Sequence, residues 1–142
     1  MPPLLSEQLL RAYVASSYLA MLPTGAWLRL RIGVRHPGLE ARLARLGLDS
    51  WAFLHAVNPG SVQQSPEANA QSHRALAEAL TRSTAAQWHQ GLSRADAGDW
   101  PDEAGYLVLG LELAAALDLG RGFGQLAIVA GQRGSPAALH PC

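Results

Sequence analysis

Asn58, Glu67 and Asn69 crowd one junction of the chain, in the segment "HAVNPGSVQQSPEANAQSHR" that spans residues 55–74. An apolar run stops there at Asn58-Pro59, and a helix restarts at Ser65-Pro66-Glu67. A strand end feeding a helix start leaves backbone N–H groups free beside the positive end of the helix dipole, which suits a small polar or anionic group. The amides of Asn58 and Asn69 can each donate and accept hydrogen bonds to such a ligand, with Glu67 fixing one of them. Gln125 opens a later apolar strand and completes the group if the two strands are neighbours. The bland alternative is that these side chains only tie the loop to the helix, as Asn and Glu near helix starts routinely do. No glycine pattern of a phosphate loop accompanies the junction.

Trp100 and Glu103 form a second group. A carboxylate beside an aromatic wall is a setting in which general acid–base chemistry is run. Asp96, Asp99 and Asp102 share the same turn-rich stretch, "SRADAGDWPDEAG", which also fits solvated surface, and their spacing is not that of an EF-hand. His55 shares its strand parity with Trp51 and Phe53, which favours a hydrogen-bonded core histidine over a ligand. His89 and His140 fall in no zinc spacing, and the single cysteine, Cys142, has no local partner that would make it a catalytic thiolate. Ser61 in "NPGSV" is not a nucleophile elbow. No catalytic residue, metal ligand or cofactor is assigned on these grounds. Arg29 and Arg31 share a strand face with Trp27, a pattern that can bind single-stranded nucleic acid by stacking and phosphate contact.

The elements that must position these residues follow from periodicity. Leu10, Tyr13, Ser17 and Met21 predict a helix over 6–21, closed by Pro23-Thr24-Gly25. "AWLRLRI" (26–32) alternates as a strand with one wetter face. Leu39, Leu43 and Leu46 mark a short helix with Gly47 at its left-handed end. "WAFLHAV" (51–57) is apolar on both parities and reads as an internal strand. Ser65 caps a helix over 66–82 with Pro66 in its first turn. Its stripe of Leu76 and Leu80 extends back to Asn69, whose amide therefore needs partners. Weak strand character over 84–92 is followed by an apolar strand at 106–111, a helix ending at Gly120, a buried strand at 125–131 and a short last strand through Leu139. The order is α-β-α-β-α-β-β-α-β-β. It predicts a single α+β domain over residues 1–142, with a mixed central sheet and helices packed against it.

Composition bounds the rest. The 142 residues are 49% hydrophobic and 15% charged, enough for one self-sufficient core and too apolar for global disorder. Formal net charge is zero, so nothing global draws the chain to nucleic acid or an anionic membrane, and the Arg29/Arg31 face reads as an ordinary sheet surface. Lysine is absent and the arginines are scattered, as GC-biased coding would produce. One cysteine allows no internal disulfide, and no signal-peptide pattern or membrane-length apolar run is present. A cytoplasmic protein is the expectation.

Several of these pieces, in this order and spacing, resemble a bacterial family known as domain of unknown function 3293 (DUF3293). The matching residues are Asn58-Pro59 closing a strand, Glu67 with Asn69 at the next helix start, Trp100-Pro101-Asp102-Glu103 before a strand, and "GFGQLAIV" with Phe123, Gly124 and Gln125. This chain has Val57 before Asn58-Pro59 where the family has tryptophan. The resemblance supports the fold outline and implies no activity. The resulting expectation is a non-enzymatic module that binds a small polar ligand or a protein partner through Asn58, Glu67, Asn69, Trp100, Glu103 and Gln125. The alternatives are a small enzyme with Glu103 or Glu67 as general acid/base, and nucleic-acid binding through Arg29/Arg31.

Overall fold

Period-2 patterning dictates the centre of the molecule. In strand β3 (Ser50–His55), Trp51, Phe53 and His55 point to one face and Ala52 and Leu54 to the other, with Trp51 through Leu54 all buried. Such a strand needs cover on both sides. In the computed structural model, which describes residues 5–142, helices provide it. On one face lie α1 (Glu7–Val14) and α2 (Pro37–Leu46), and Tyr13, Leu39 and Leu43 pack there with Trp51, Phe53 and Leu107. On the other lie α3 (Pro66–Thr81) and α4 (Leu113–Gly122), with Leu76, Leu80 and Ala116 against Leu54, Val108 and Ile128.

The other strands are β1 (Ser16–Met21), β2 (Trp27–Leu30), β4 (Gln87–Ala95), β5 (Glu103–Leu109), β6 (Ala127–Gln132) and β7 (Ala138–Pro141). They form one seven-stranded sheet in the order β2-β1-β4-β5-β3-β6-β7. This is a single α+β domain, and the expected order of elements holds with one strand added.

That strand is β1. The expected helix over 6–21 stops at Val14, because Ala15 (φ −88°, ψ 36°) leaves helical geometry. Beyond it Tyr18 and Ala20 are buried on one parity. The sheet is also not mixed: every hydrogen-bonded pair is antiparallel. Helix α4 does connect two strands of like direction, β5 and β6, but β3 is inserted between them and runs the other way. The polar stretch expected as a loop is shorter than 93–105, since Ser93 to Ala95 belong to β4 and Glu103 to Gly105 to β5.

Two glycines shape the sheet face beneath α1. Gly91 on β4 and Gly105 on β5 are direct cross-strand partners, and the ring of Phe53 lies over both. A Cβ at Gly105 would come within 2.7 Å of the Phe53 ring, and one at Gly91 within 2.0 Å of the Leu19 carbonyl oxygen. The ring fills the space that missing side chains leave and leans against His55, at a centroid distance of 5.1 Å.

Candidate functional site

The chain leaves β3 at His55 and reaches Asn58 two residues after Ala56, at a single turn of 3-10 helix, Pro59–Ser61. Asn58 holds φ 48° and ψ 57°, in the left-handed region. Asparagine tolerates that region better than most residues, but the proline that follows disfavours helical conformations before it. Side-chain and backbone bonds hold it there. Asn58 N–H donates to Asn69 Oδ1 at 3.0 Å, and Asn58 Oδ1 accepts from Asn69 Nδ2 at 2.9 Å and from the Gln64 N–H at 2.9 Å. Asn58 Nδ2 in turn donates to Glu103 Oε2 at 2.7 Å. The second non-glycine residue with positive φ among those described, Ser61 at 61°, lies in the same turn. Backbone strain of this kind persists only where the surroundings over-determine it, and it gathers at functional sites.

Gln125 supports the turn from the side of β6. Its Nε2 donates to the Val57 carbonyl at 3.0 Å, and the Gly60 N–H donates to the Gly124 carbonyl at 2.8 Å. Gly124 has φ 71°, and a Cβ there would stand 2.6 Å from Pro59 Cβ, so this approach requires glycine.

Above the junction opens a cavity of about 450 Å³ between α1, the turn and the ends of β3, β4 and β5. Asn58, Trp100, Glu103 and Gln125 line it, so four of the six residues expected from the sequence converge. Asn69 stands behind them and reaches the cavity only through Asn58. The expected stripe on α3 is right, and the partner its amide needs is Asn58. Glu67 is elsewhere: it is exposed in the first turn of α3 and does not line the cavity. At about 100° per residue, two positions from Asn69 turn Glu67 to the far side of the helix.

The sequence reading missed Tyr13, Tyr18 and Ser93, which also line the cavity, and placed His55 only in the core. His55 is indeed hydrogen-bonded, Nε2 to Ser93 Oγ at 3.0 Å, yet it stands on the cavity wall. Ser93 pairs across the ladder with Glu103, which sets the two polar groups side by side. Burial pushes the His55 imidazole down to about 4, helped by the charge of His73. Burial and the Glu103 carboxylate push the Tyr13 hydroxyl up to about 12 and raise Tyr18 as well, whose hydroxyl donates to the Tyr13 carbonyl at 3.0 Å.

The His55 shift has a sign that can be measured. A base whose folded-state proton affinity lies below its unfolded value of roughly 6.5 stabilises the fold fully above that pH. The contribution is lost as pH falls from about 6.5 through about 4, and amounts to up to about 3 kcal/mol. An NMR titration of the imidazole in the native protein should give a midpoint near the lower value, and His55→Gln should flatten the slope of stability between pH 6.5 and 4. A native-state midpoint near 6.5 would contradict the burial argument.

The basic strand face is already engaged. Arg31 makes a forked bond to Asp96, 2.8 Å to each oxygen, while Arg29 Nε donates to Ser17 Oγ at 2.8 Å. Arg94 is held by Asp102 at 2.7 Å. Asp96, Asp99 and Asp102 are all exposed, as the solvated-surface reading expects, and the first and last of them pair with these arginines. Among the described residues no group of three or more His, Cys, Asp or Glu side chains is placed to hold a metal ion, and no helix is long and apolar enough to cross a membrane.

A family model described as "Protein of unknown function (DUF3293)" matches residues 54–128, more than half of the chain. The chain belongs to this family. The matched span of the DUF3293 chain runs from the end of β3 to the start of β6, and so contains His55, Asn58, Ser93, Trp100, Glu103 and Gln125 together. No curated protein and no solved structure matches it.

Proposed function

We propose that the protein is a non-enzymatic module that binds a small polar ligand in the cavity above the Asn58 junction. The observation that carries this reading is the Asn58 network. A strained residue is locked by Asn69 and Gln64 so that its amide holds Glu103 at the cavity wall. Folding alone gives no reason to hold a strained asparagine against a carboxylate at an open wall, whereas a binding site gains a fixed polar group. The cavity volume of about 450 Å³ also suits a small molecule better than a protein partner's surface.

Catalysis has one specific observation in its favour, the contact between His55 Nε2 and Ser93 Oγ at 3.0 Å. A working nucleophile needs a base that takes a proton near neutral pH and a third group that orients that base. The His55 imidazole, lowered to about 4, is a weak base, and among the described residues no carboxylate bonds to it. Glu103 as general acid/base is the stronger enzymatic alternative, and Glu67 lies outside the cavity.

The test is a panel of small amines, amino acids, sugars, nucleosides and dicarboxylates titrated into isotope-labelled full chain. At least one class should shift the amide signals of His55, Asn58, Ser93 and Glu103 together and saturably. Ala12→Trp, which places an indole at the cavity wall from an exposed position of α1, should remove those shifts without unfolding the protein. Silence of these four signals towards every class would end the proposal.

A further inference from the structure

Glu103 is the one charged side chain among the described residues that line the cavity. Its Oε2 receives the Asn58 amide at 2.7 Å, and no described side chain or backbone group bonds to its Oε1. The arginines of adjoining elements bond elsewhere, Arg11 to Glu7, Arg29 to the Ser17 hydroxyl, Arg31 to Asp96 and Arg94 to Asp102, and none of them bonds to this carboxylate. Tyr13, Tyr18 and Trp100 line the same cavity. The other groups cannot supply a compensating positive charge near neutral pH: His55 is held neutral by burial, and Ser93 and Gln125 are neutral polar groups. A single uncompensated carboxylate in an aromatic-walled cavity is chemically matched to one kind of guest. The anion attracts a cation by a charge-assisted hydrogen bond, and ring faces add cation–π attraction.

From this arrangement we infer that the ligand is a small organic cation, a protonated amine with an apolar body, whose ammonium group bonds to Glu103 while its body rests against Tyr13 and Trp100. The inference rests on the cavity being a binding site, and names what the site selects. The helix start that the sequence offers to a small polar or anionic group takes no part: the start of α3 is closed by the Ser65 hydroxyl, which accepts from the Ala68 N–H at 3.1 Å, and does not line the cavity.

Three probes of one shape and different charge decide it: benzylamine, benzyl alcohol and benzoate, titrated into the labelled full chain at low salt. Benzylamine should shift the signals of Ser93, Glu103 and His55 with a Kd at least tenfold below that of benzyl alcohol, and benzoate should give no shift there. Glu103→Gln keeps an acceptor for Asn58 and should abolish the amine preference, whereas Glu67→Gln, outside the cavity, should keep it. Should the glutamine variant not fold, the salt dependence of the intact protein decides, since benzylamine binding must weaken as salt rises and benzyl alcohol binding must not. Equal binding of alcohol and amine, or tighter binding of benzoate, overturns the cation inference and leaves the cavity as a site. Absence of any cavity shift with all three also overturns it, and the broader panel then judges the cavity itself.

Discussion

Gly91→Ala should cost at least about 3 kcal/mol and strip the protein of most of its cooperative unfolding transition. The added methyl carbon would sit 2.0 Å from the carbonyl oxygen of Leu19 and 3.1 Å from the Phe53 ring. The first of these is backbone, which cannot swing aside as a side-chain end can. Strands β1 and β4, paired through Ala20 and Gly91, would have to part at the place where Tyr18 and Ser93 meet the cavity. The loss therefore combines overpacking with broken ladder bonds and a displaced wall. Gly38→Ala is the control. Nothing lies within 4 Å of a Cβ at that helical position, so alanine there should stabilise by about 0.5–1 kcal/mol. Urea unfolding of the two variants measures the contrast, and a Gly91→Ala protein as stable as the parent would refute the close approach of β1 and β4.

Asn58→Asp should lose stability relative to the parent as pH rises from about 4 to 7. Aspartate also tolerates the left-handed backbone, and its oxygen can still accept from Asn69 and Gln64, so the substitution isolates the bond to Glu103. In place of an N–H donor 2.7 Å from Glu103 Oε2 it puts a second carboxyl oxygen. Two carboxylates at that distance cannot both ionise cheaply, and one keeps its proton. The folded-state proton affinity of the pair then exceeds the unfolded value, which lies near pH 4. The folded state binds more protons than the unfolded above that pH, so the variant matches the parent near pH 4 and loses about 2–4 kcal/mol relative to it by pH 7. Differences in urea midpoint between variant and parent at pH 4.5 and 7.5 read this directly. A difference independent of pH would show that Asn58 and Glu103 do not share a hydrogen bond in solution.

How far the sequence reached can be judged residue by residue. Asn58, Asn69, Glu103 and Gln125 were legible because each sits at the end of a periodic segment, where local rules say which polar group needs a partner. Asn69 was placed correctly by counting back from Leu76. The same helical count puts Glu67 on the opposite side of α3, outside the site. Ser16–Met21 is a strand although Tyr13, Ser17 and Met21 fit a helical spacing, a coincidence that no glycine or proline exposes at the break, Ala15. Ser93 and Tyr18 were beyond reach for a different reason. Their contact with the site depends on the register of β1, β4 and β5, which is fixed by packing between segments distant in sequence and leaves no local trace. The insertion of β3 between β5 and β6 is of the same kind, and it turned an expected mixed sheet into an antiparallel one.

The placement of β3 also dictates a timetable for biosynthesis. A nascent chain that has just completed this segment carries the β1–β2 hairpin and an apolar strand with nothing to pair with, for both of its neighbours are encoded downstream. Translation must pass Leu109 before the first arrives and Gln132 before the second. Throughout that interval Trp51, Phe53 and Leu54 lack their sheet partners, the kind of exposed segment that chaperones capture, and the sheet cannot close around β3 until β6 has been made.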